Sequence, residues 1–190
     1  MGEFIIGMTI GGTIGAFAMA ILSGASMADD NFKNKMKLSY MDGSMGYRRL
    51  FIMRKDLHMS PGKLAAQVAH CAEAYWTHLI RETAKQIPGS SNGFYSYGGI
   101  IEKDIYEQYI AGAFVKTICE ARNKNHLLKA KSMADELGLE ENVDYGLIFD
   151  NCLTELIPEE EDGTTLTGIW FCPLPDEVSH KISKKFHLYM

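Results

Sequence analysis

The stretch from Asp56 to His70 constrains the fold of this chain more than any other, because it combines a loop with the start of a helix. Ser60 is a favourable N-cap residue, and Pro61 suits the first helical position. At about 100° of rotation per residue, Lys63, Gln67 and His70 fall along one narrow stripe. The residues of the opposite side, which is predicted to face the core, are Ala65, Val68, Ala69, Ala72, Trp76, Leu79 and Thr83. The polar stripe at a helix N-terminus suits an anionic or carbonyl-bearing ligand, although an ordinary solvated helix face has the same composition.

Apolar runs and helix signals alternate along the rest of the chain. They predict strands at 50–54, 114–119, 145–149 and 165–171, helices at 61–86, 123–137 and from Pro175 onward, and a short extra helix at 102–110. The segment 88–99 is rich in Gly, Ser, Asn and Tyr, which predicts an exposed loop. The order β-α-β-α-β-β-α predicts a three-layer α/β/α domain with a small mixed four-stranded sheet.

An uncharged, mostly apolar segment from Phe4 to Leu22 precedes this domain. Its 19 residues are just long enough to span a bilayer as a helix, and glycines recur at positions 7, 11 and 15. Lysines and arginines follow the segment and none precedes it, so the positive-inside rule places the following domain in the cytosol. We therefore expect a membrane anchor at 1–27, a flexible linker at 28–46 and a folded domain at 47–190. The alternatives are a cleaved signal peptide and a native start at Met45.

Net charge, cysteine spacing and the lack of certain motifs argue against several classes of function. The net charge is −5, so any binding of nucleic acid needs a local basic patch. The four cysteines are widely spaced, which predicts reduced thiols, and no His/Cys cluster has the spacing of a structural zinc site. No Gly-x-Gly-x-x-Gly motif follows the first strand, which argues against a dinucleotide-binding enzyme. We expect neither a metal nor a cofactor.

The runs from Met53 to Met59 and from Gly62 to His70 resemble the opening of the peptidyl-tRNA hydrolase 2 family. That family has a strand, an Arg-x-Asp-Leu-x-Met loop, and a helix that begins Gly-Lys-[Ile/Val]-Ala-Ala-Gln-x-x-His. The resemblance continues through the second predicted strand to the closing Leu188-Tyr189, and it covers about residues 48 to 190.

A second part of the family pattern, Asp-Ala-Gly-Arg-Thr-Gln-Ile-Ala-Pro-Gly, follows the third predicted strand. Asp150, Thr154 and Pro158 match it, and Thr167 matches the family's entry into the next strand. Ligands of open α/β sheets bind at the carboxyl ends of strands, which is where Asp150 is predicted to lie. Taken alone, an aspartate at this place is more often a turn-forming or helix-capping residue than a functional one.

Several positions of this second part depart from the family. Cys152, Leu153 and Glu155 stand in place of Gly, Arg and Gln, and an acidic run at 159–162 lies within an insertion. A side chain at position 152 restricts positive φ, and the added negative charges would repel tRNA phosphates nearby. The run is either a solvated loop that points away or part of a site with altered substrate or reduced activity.

The resemblance implies hydrolysis of the ester that joins a peptide to the terminal ribose of tRNA. The catalytic residues that it implies are Lys63, Asp150 and Thr167. Asp150 would orient or deprotonate a water, and Lys63 would stabilise the oxyanion or hold the terminal phosphate. The substrate-binding residues that we expect are Gln67, His70, Thr154, Arg54 and Lys55. Of these, Arg54 and Lys55, together with Arg48 and Arg49, would contact acceptor-stem phosphates, unless they serve only as charges beside the membrane segment or at the strand edge.

The partners implied are peptidyl-tRNA, a membrane through residues 4–22, and a second copy of the chain in a homodimer. The mitochondrial outer membrane is one candidate location, and a soluble cytosolic protein is the alternative. A membrane-tethered adaptor that keeps the fold without the activity is the rival function. The altered loop and acidic insertion favour the adaptor, whereas the retained Lys63, Gln67 and Asp150 favour the hydrolase.

Overall fold

The computed structural model describes residues 46–87 and 93–190 of the chain. The predicted membrane anchor, nearly all of the predicted linker and residues 88–92 of the predicted loop lie outside the described residues. In the two described ranges, no helix is long and apolar enough to cross a membrane.

One mixed sheet of six strands carries the fold. Its strands are β1 (Tyr47–Arg54), β4 (Val115–Ala121), β5 (Tyr145–Asp150), β6 (Thr165–Phe171), β7 (Leu174–Pro175) and β8 (His187–Leu188). A separate two-stranded sheet contains β2 (Lys85–Gln86) and β3 (Tyr95–Ser96). The helices are α1 (Pro61–Thr83), α2 (Lys124–Glu136), α3 (Asp176–Ser183) and a π-helix (Ile105–Ala113).

The sheet order places three strand ends at one edge. The order is β5-β6-β1-β4-β8, with β7 also pairing with β1. Strands β1 and β4 are parallel, and β5 and β1 are both antiparallel to β6, so β1, β4 and β5 all point the same way. The carboxyl ends of these strands, at Arg54, Ala121 and Asp150, therefore lie along one edge. Helix α1 links β1 to its neighbour β4, and α2 links β4 back across the sheet to β5, so the two connections run in opposite directions. Because connections between parallel strands are right-handed, α1 and α2 lie on opposite faces of the sheet.

The α/β fold with a mixed sheet is confirmed, and the prediction of four strands is wrong. The four predicted strands are present, but β7 and β8 add two residues each to the sheet. Such short strands carry no recognisable alternation of apolar residues. The predicted extra helix is the π-helix, and the predicted loop contains β3.

The buried face of helix α1 is rotated from the predicted one. Part of the predicted face still packs against the core, namely Val68, Ala72, Trp76 and Leu79. Gln67, Cys71 and Tyr75 form its buried line, whereas Ala65 and Ala69 are exposed. A polar stripe can face the sheet when polar groups of the sheet satisfy it, and a hydrophobicity pattern does not reveal those partners. The start of α1 therefore points Lys63 and Gln67 at the sheet edge, whereas His70 of the same stripe is exposed.

Arg49 is part of the core rather than a contact for tRNA phosphates. Its side chain is fully buried, and the guanidinium donates to the carbonyl oxygens of Cys71, Ala72 and Phe171 at 2.6 to 3.0 Å. Burial lowers the pKa of Arg49 below its ordinary value. The guanidinium ties α1 to β6, which corrects its interpretation as a substrate contact.

Candidate active site

Four polar side chains meet where the start of α1 crosses the carboxyl end of β5. Asp150 is the last residue of β5, Lys63 and Gln67 lie on the first two turns of α1, and Thr167 approaches from β6. Asp150 is 8% exposed, Gln67 is 1% exposed and Thr167 is fully buried. The structure thus brings together the three residues implied as catalytic and Gln67, which was expected to bind substrate.

The carboxylate of Asp150 accepts three hydrogen bonds. Lys63 Nζ lies 2.7 Å from Oδ2, and Gln67 Nε2 lies 2.6 Å from the same oxygen. The backbone N–H of Cys152 donates to Oδ1 at 2.9 Å. An ionised carboxylate offers about four acceptor positions, so roughly one remains, on Oδ1, for a water molecule.

The pKa of Asp150 reflects burial opposed by these donors. Burial raises the pKa. It is lowered by the hydrogen bond and charge of Lys63 and by the hydrogen bonds from the Cys152 N–H and Gln67, and together these outweigh burial. The pKa therefore lies below the ordinary value for an aspartate, and the side chain is ionised at neutral pH. A carboxylate of low pKa is a weak base, so its arrangement suits orienting a water better than removing its proton early.

Thr167 reaches the cluster because the β5–β6 ladder is irregular. The register shifts beside Ile148, and the pairing skips Thr167. Bulges of this kind redirect side chains next to functional sites. Thr167 Oγ1 lies 2.7 Å from Gln67 Oε1 and 3.1 Å from the carbonyl oxygen of Ile148. Because Gln67 Oε1 only accepts, the hydroxyl donates to it and turns the amide NH₂ toward Asp150.

The loop at 151–157 is attached to the start of α1 through Glu155. Its carboxylate accepts from the backbone N and the Oγ of Ser60 at 2.5 and 2.6 Å, and these bonds lower the pKa of Glu155. The Ser60 hydroxyl in turn accepts from the backbone N of Lys63 at 3.3 Å, which confirms it as the N-cap. The attached loop places Thr154 Oγ1 3.3 Å from Lys63 Nζ. Sequence reasoning treated Glu155 only as an added charge and missed this contact.

Replacing Glu155 with Ala should lower kcat roughly tenfold, because Thr154 and the Cys152 N–H would lose their fixed positions around the site. Glu155→Gln, which keeps an acceptor for the Ser60 N–H, should recover most of the rate. Steady-state rates of ester cleavage at saturating substrate measure both effects. A Gln variant as slow as the Ala variant, or an Ala variant with the wild-type kcat, would contradict this role.

The turn after Asp150 has a left-handed backbone at Cys152, where the family pattern has a glycine. The backbone of Cys152 has a φ of 53°, in the left-handed region that favours glycine. For a residue with a side chain this conformation costs about 1 kcal/mol. In this conformation the Cys152 N–H donates to Asp150 Oδ1.

Two of the expected substrate-binding cations are engaged within the protein. Arg54 is 2% exposed and pairs with Asp56 at 2.7 Å and with Glu159 at 2.5 Å. A buried and paired guanidinium is not placed to contact phosphates, which corrects that interpretation. Lys55 is partly exposed and pairs with Glu120 at 3.0 Å.

His70 and the acidic insertion lie outside the polar cluster. His70 is exposed on α1, and in the described part of the chain no hydrogen bond joins it to Asp150 or Lys63. In the insertion, Glu160 pairs with Lys124 at 2.5 Å, in addition to the pairing of Glu159 already noted. Two of the acidic side chains are thus partly neutralised by neighbouring cations.

The Cys71 thiol does not supply the chemistry of the site. Cys71 is fully buried, and burial raises its pKa to about 12, so it is not a thiolate near neutral pH. Across residues 46–87 and 93–190, no three His, Cys, Asp or Glu side chains are grouped to hold a metal ion. The polar cluster therefore offers a cation, a carboxylate and amide and hydroxyl groups as its chemistry.

Comparison with known proteins gives a consistent result. The family model described as peptidyl-tRNA hydrolase PTH2 matches residues 47–189. A peptidyl-tRNA hydrolase of Thermococcus sibiricus is 30% identical over 142 residues, which cover 75% of this chain and 97% of that protein. Proteins of the same name from Thermococcus onnurineus and Thermoplasma acidophilum are each 26% identical, over 72% and 74% of this chain and 92% and 97% of their own lengths.

Proposed function

This chain belongs to the peptidyl-tRNA hydrolase PTH2 family, and we propose that it hydrolyses the ester bond of peptidyl-tRNA in the cleft between Lys63 and Asp150. The observation that carries the proposed site is the 2.7 Å pair of Lys63 Nζ and Asp150 Oδ2. Both side chains are mostly buried, at 14% and 10% exposure. A cation and an anion held together at the edge of a sheet can stabilise a developing oxyanion and position a water on adjacent atoms.

Asp150 is proposed to position the attacking water through its remaining acceptor position. The water oxygen bonds to the ester carbonyl carbon, and the bond from that carbon to the ribose oxygen then breaks. One proton of the water ends on the released ribose hydroxyl, and the new carboxylic acid releases its proton to solvent. The low pKa of Asp150 means that proton transfer accompanies bond formation rather than preceding it.

Lys63 is proposed to stabilise the oxyanion. An ammonium group has three N–H donors, and the described residues accept two of them, at Asp150 and Thr154. The third can point at the carbonyl oxygen as it gains negative charge. Thr167 acts through Gln67 by fixing the amide that holds Asp150, which makes it a positioning residue rather than one that contacts the ester.

The test of this function uses the full chain and N-acetyl-aminoacyl-tRNA. We expect release of free tRNA and of the N-acetyl amino acid well above the spontaneous rate measured with heat-inactivated protein. A folded protein that releases no tRNA would contradict the proposal. The rival adaptor function is not favoured, because both halves of the polar cluster are retained and are in contact.

We also propose that residues 1–27 anchor the enzyme in a membrane, with 28–46 as a linker and 47–190 as the catalytic domain in the cytosol. The support is the uncharged apolar run from Phe4 to Leu22 and the cations that follow it. The full chain should then stay with membranes after alkaline carbonate extraction. Ile14→Lys, which places a charge near the middle of the run, should release it. Recovery of the unaltered chain in the soluble fraction would contradict the anchor.

The homodimer implied by the family resemblance stays a proposal. Sedimentation equilibrium of the detergent-solubilised chain gives its mass. A mass of one chain at micromolar concentration would contradict the dimer.

A further inference from the structure

A basic edge patch, formed by Arg122, Lys129, Lys185 and His187 around His126, lies at the same sheet edge as Asp150. Arg122 directly follows the carboxyl end of β4, and His187 begins β8 opposite Glu120 of β4. Because β4 and β5 are parallel and three strand spacings apart in the sheet, Ala121 and Asp150 are separated by about 14 Å along this edge. The patch and the candidate active site therefore lie along one edge.

His126 holds the segments of the patch together. Its Nδ1 accepts a hydrogen bond from the backbone N of Arg122 at 3.1 Å, and its ring stacks on Phe186 with centroids 4.6 Å apart. Burial lowers the pKa of His126, and the charges of Arg122 and Lys129 lower it further. The histidine is thus a neutral support beneath exposed cations.

The positive charge of the patch is not cancelled by its neighbours. Arg122, Lys129 and Lys185 are exposed, and within the described ranges none of them has a carboxylate within 4 Å. The acidic side chains nearby on this edge are engaged elsewhere: Glu120 pairs with Lys55 and Glu160 with Lys124. In a chain of net charge −5, a local group of free cations is a candidate for binding an anionic surface.

We propose that the basic edge patch binds the sugar–phosphate backbone of the tRNA, several nucleotides away from the ester. This inference rests on the proposed function, since it concerns the same substrate. Contacts with phosphates position an RNA without reading its sequence, and they act on binding rather than on the chemical step. The patch thus takes the role that the buried Arg49 and Arg54 cannot fill.

The test compares two double variants of the full chain that change the net charge equally. Arg122→Glu with Lys129→Glu reverses the patch, and Lys85→Glu with Lys103→Glu is the matched control. Both control residues are exposed. Lys85 follows the end of α1, and Lys103 precedes the π-helix that leads into the start of β4, so both lie far from the patch at the end of β4. Each variant is assayed on N-acetyl-aminoacyl-tRNA and on the N-acetyl-aminoacyl ester of the trinucleotide CCA.

We expect the patch variant to raise KM for the tRNA substrate at least tenfold, with kcat within twofold of the wild type. Its KM should also depend less on salt. The slope of log KM against log salt concentration should fall by about 0.7 to 0.9 for each phosphate that the variant no longer neutralises. Cleavage of the trinucleotide ester should be unchanged, and the control variant should match the wild type on both substrates. Thermal unfolding followed by circular dichroism confirms that each variant is folded.

The outcomes separate this inference from the proposed function. Wild-type protein that cleaves both substrates, with the patch variant equal to the control, overturns the patch and leaves the hydrolase in place. A patch variant that also loses cleavage of the trinucleotide ester overturns the patch as a distant contact. Wild-type protein that cleaves neither substrate overturns both.

Discussion

Asp150→Asn is expected to lower kcat for cleavage of N-acetyl-aminoacyl-tRNA by about 10²- to 10⁴-fold, the usual range for a residue that assists proton transfer. An asparagine keeps the size of the side chain but has no charge for Lys63. Its NH₂ group would also face the donors of Lys63 and Gln67 if its oxygen kept the bond from the Cys152 N–H. The water would then keep only a neutral acceptor and would lose its fixed position, because the contacts that Lys63 and Gln67 make with the carboxylate would be lost.

Asp162→Asn is the matched control for this change. Asp162 is exposed, and its carboxylate accepts bonds from the backbone N and Oγ of Thr164 at 3.0 and 2.7 Å, so the pKa of this group is also low. The control should retain the wild-type kcat. An Asp150→Asn enzyme that is folded and turns over at the wild-type rate would remove Asp150 from the mechanism.

Lys63→Met should lower kcat by about 10²- to 10³-fold, as expected when a charged donor to an oxyanion is removed. It should also move the acid limb of the pH–rate profile to higher pH. In the wild type, the hydrogen bond and charge of Lys63 help to hold the pKa of Asp150 below its ordinary value, so activity is lost only as the pH falls through that low pKa. Without Lys63, its hydrogen bond and its charge no longer lower the pKa of Asp150, so the pKa rises and the remaining activity is lost at a higher pH.

The pH dependence of kcat/KM for the Lys63→Met enzyme measures this shift. Lys131→Met is the control, because Lys131 pairs with Glu141 at 2.8 Å on α2, away from the cluster. It should change neither the rate nor the profile. A Lys63→Met enzyme whose acid limb stays at the wild-type pH would show that Lys63 does not act on Asp150.

The sequence was most informative where local signals agree with one another. Ser60 and Pro61 correctly predicted the start of α1, and the four apolar runs correctly predicted the main strands. The family resemblance pointed to Lys63 and Asp150, 87 residues apart in the chain, and the structure brings them into contact. Their chemical roles stay predictions until the variants are measured.

The failures arose where partners from distant parts of the chain decide the outcome. Gln67 is buried because Thr167 and Asp150 satisfy its amide, and Arg49 is buried because three carbonyl oxygens converge on it. Neither set of partners is visible in a hydrophobicity pattern, so the pattern predicted both residues at the surface. The Glu155–Ser60 contact was missed for the same reason, since 95 residues separate its two members.

The most direct test of the central claim is a single-turnover measurement of tRNA release from N-acetyl-aminoacyl-tRNA by the wild type, Lys63→Met, Asp150→Asn and the double variant. If the two side chains act as one unit, the wild type releases tRNA rapidly, each single variant is slow, and the double variant is scarcely slower than the slower single variant. No release by folded wild-type protein would contradict hydrolysis at this site. Single effects that multiply in the double variant would contradict the joint action of Lys63 and Asp150.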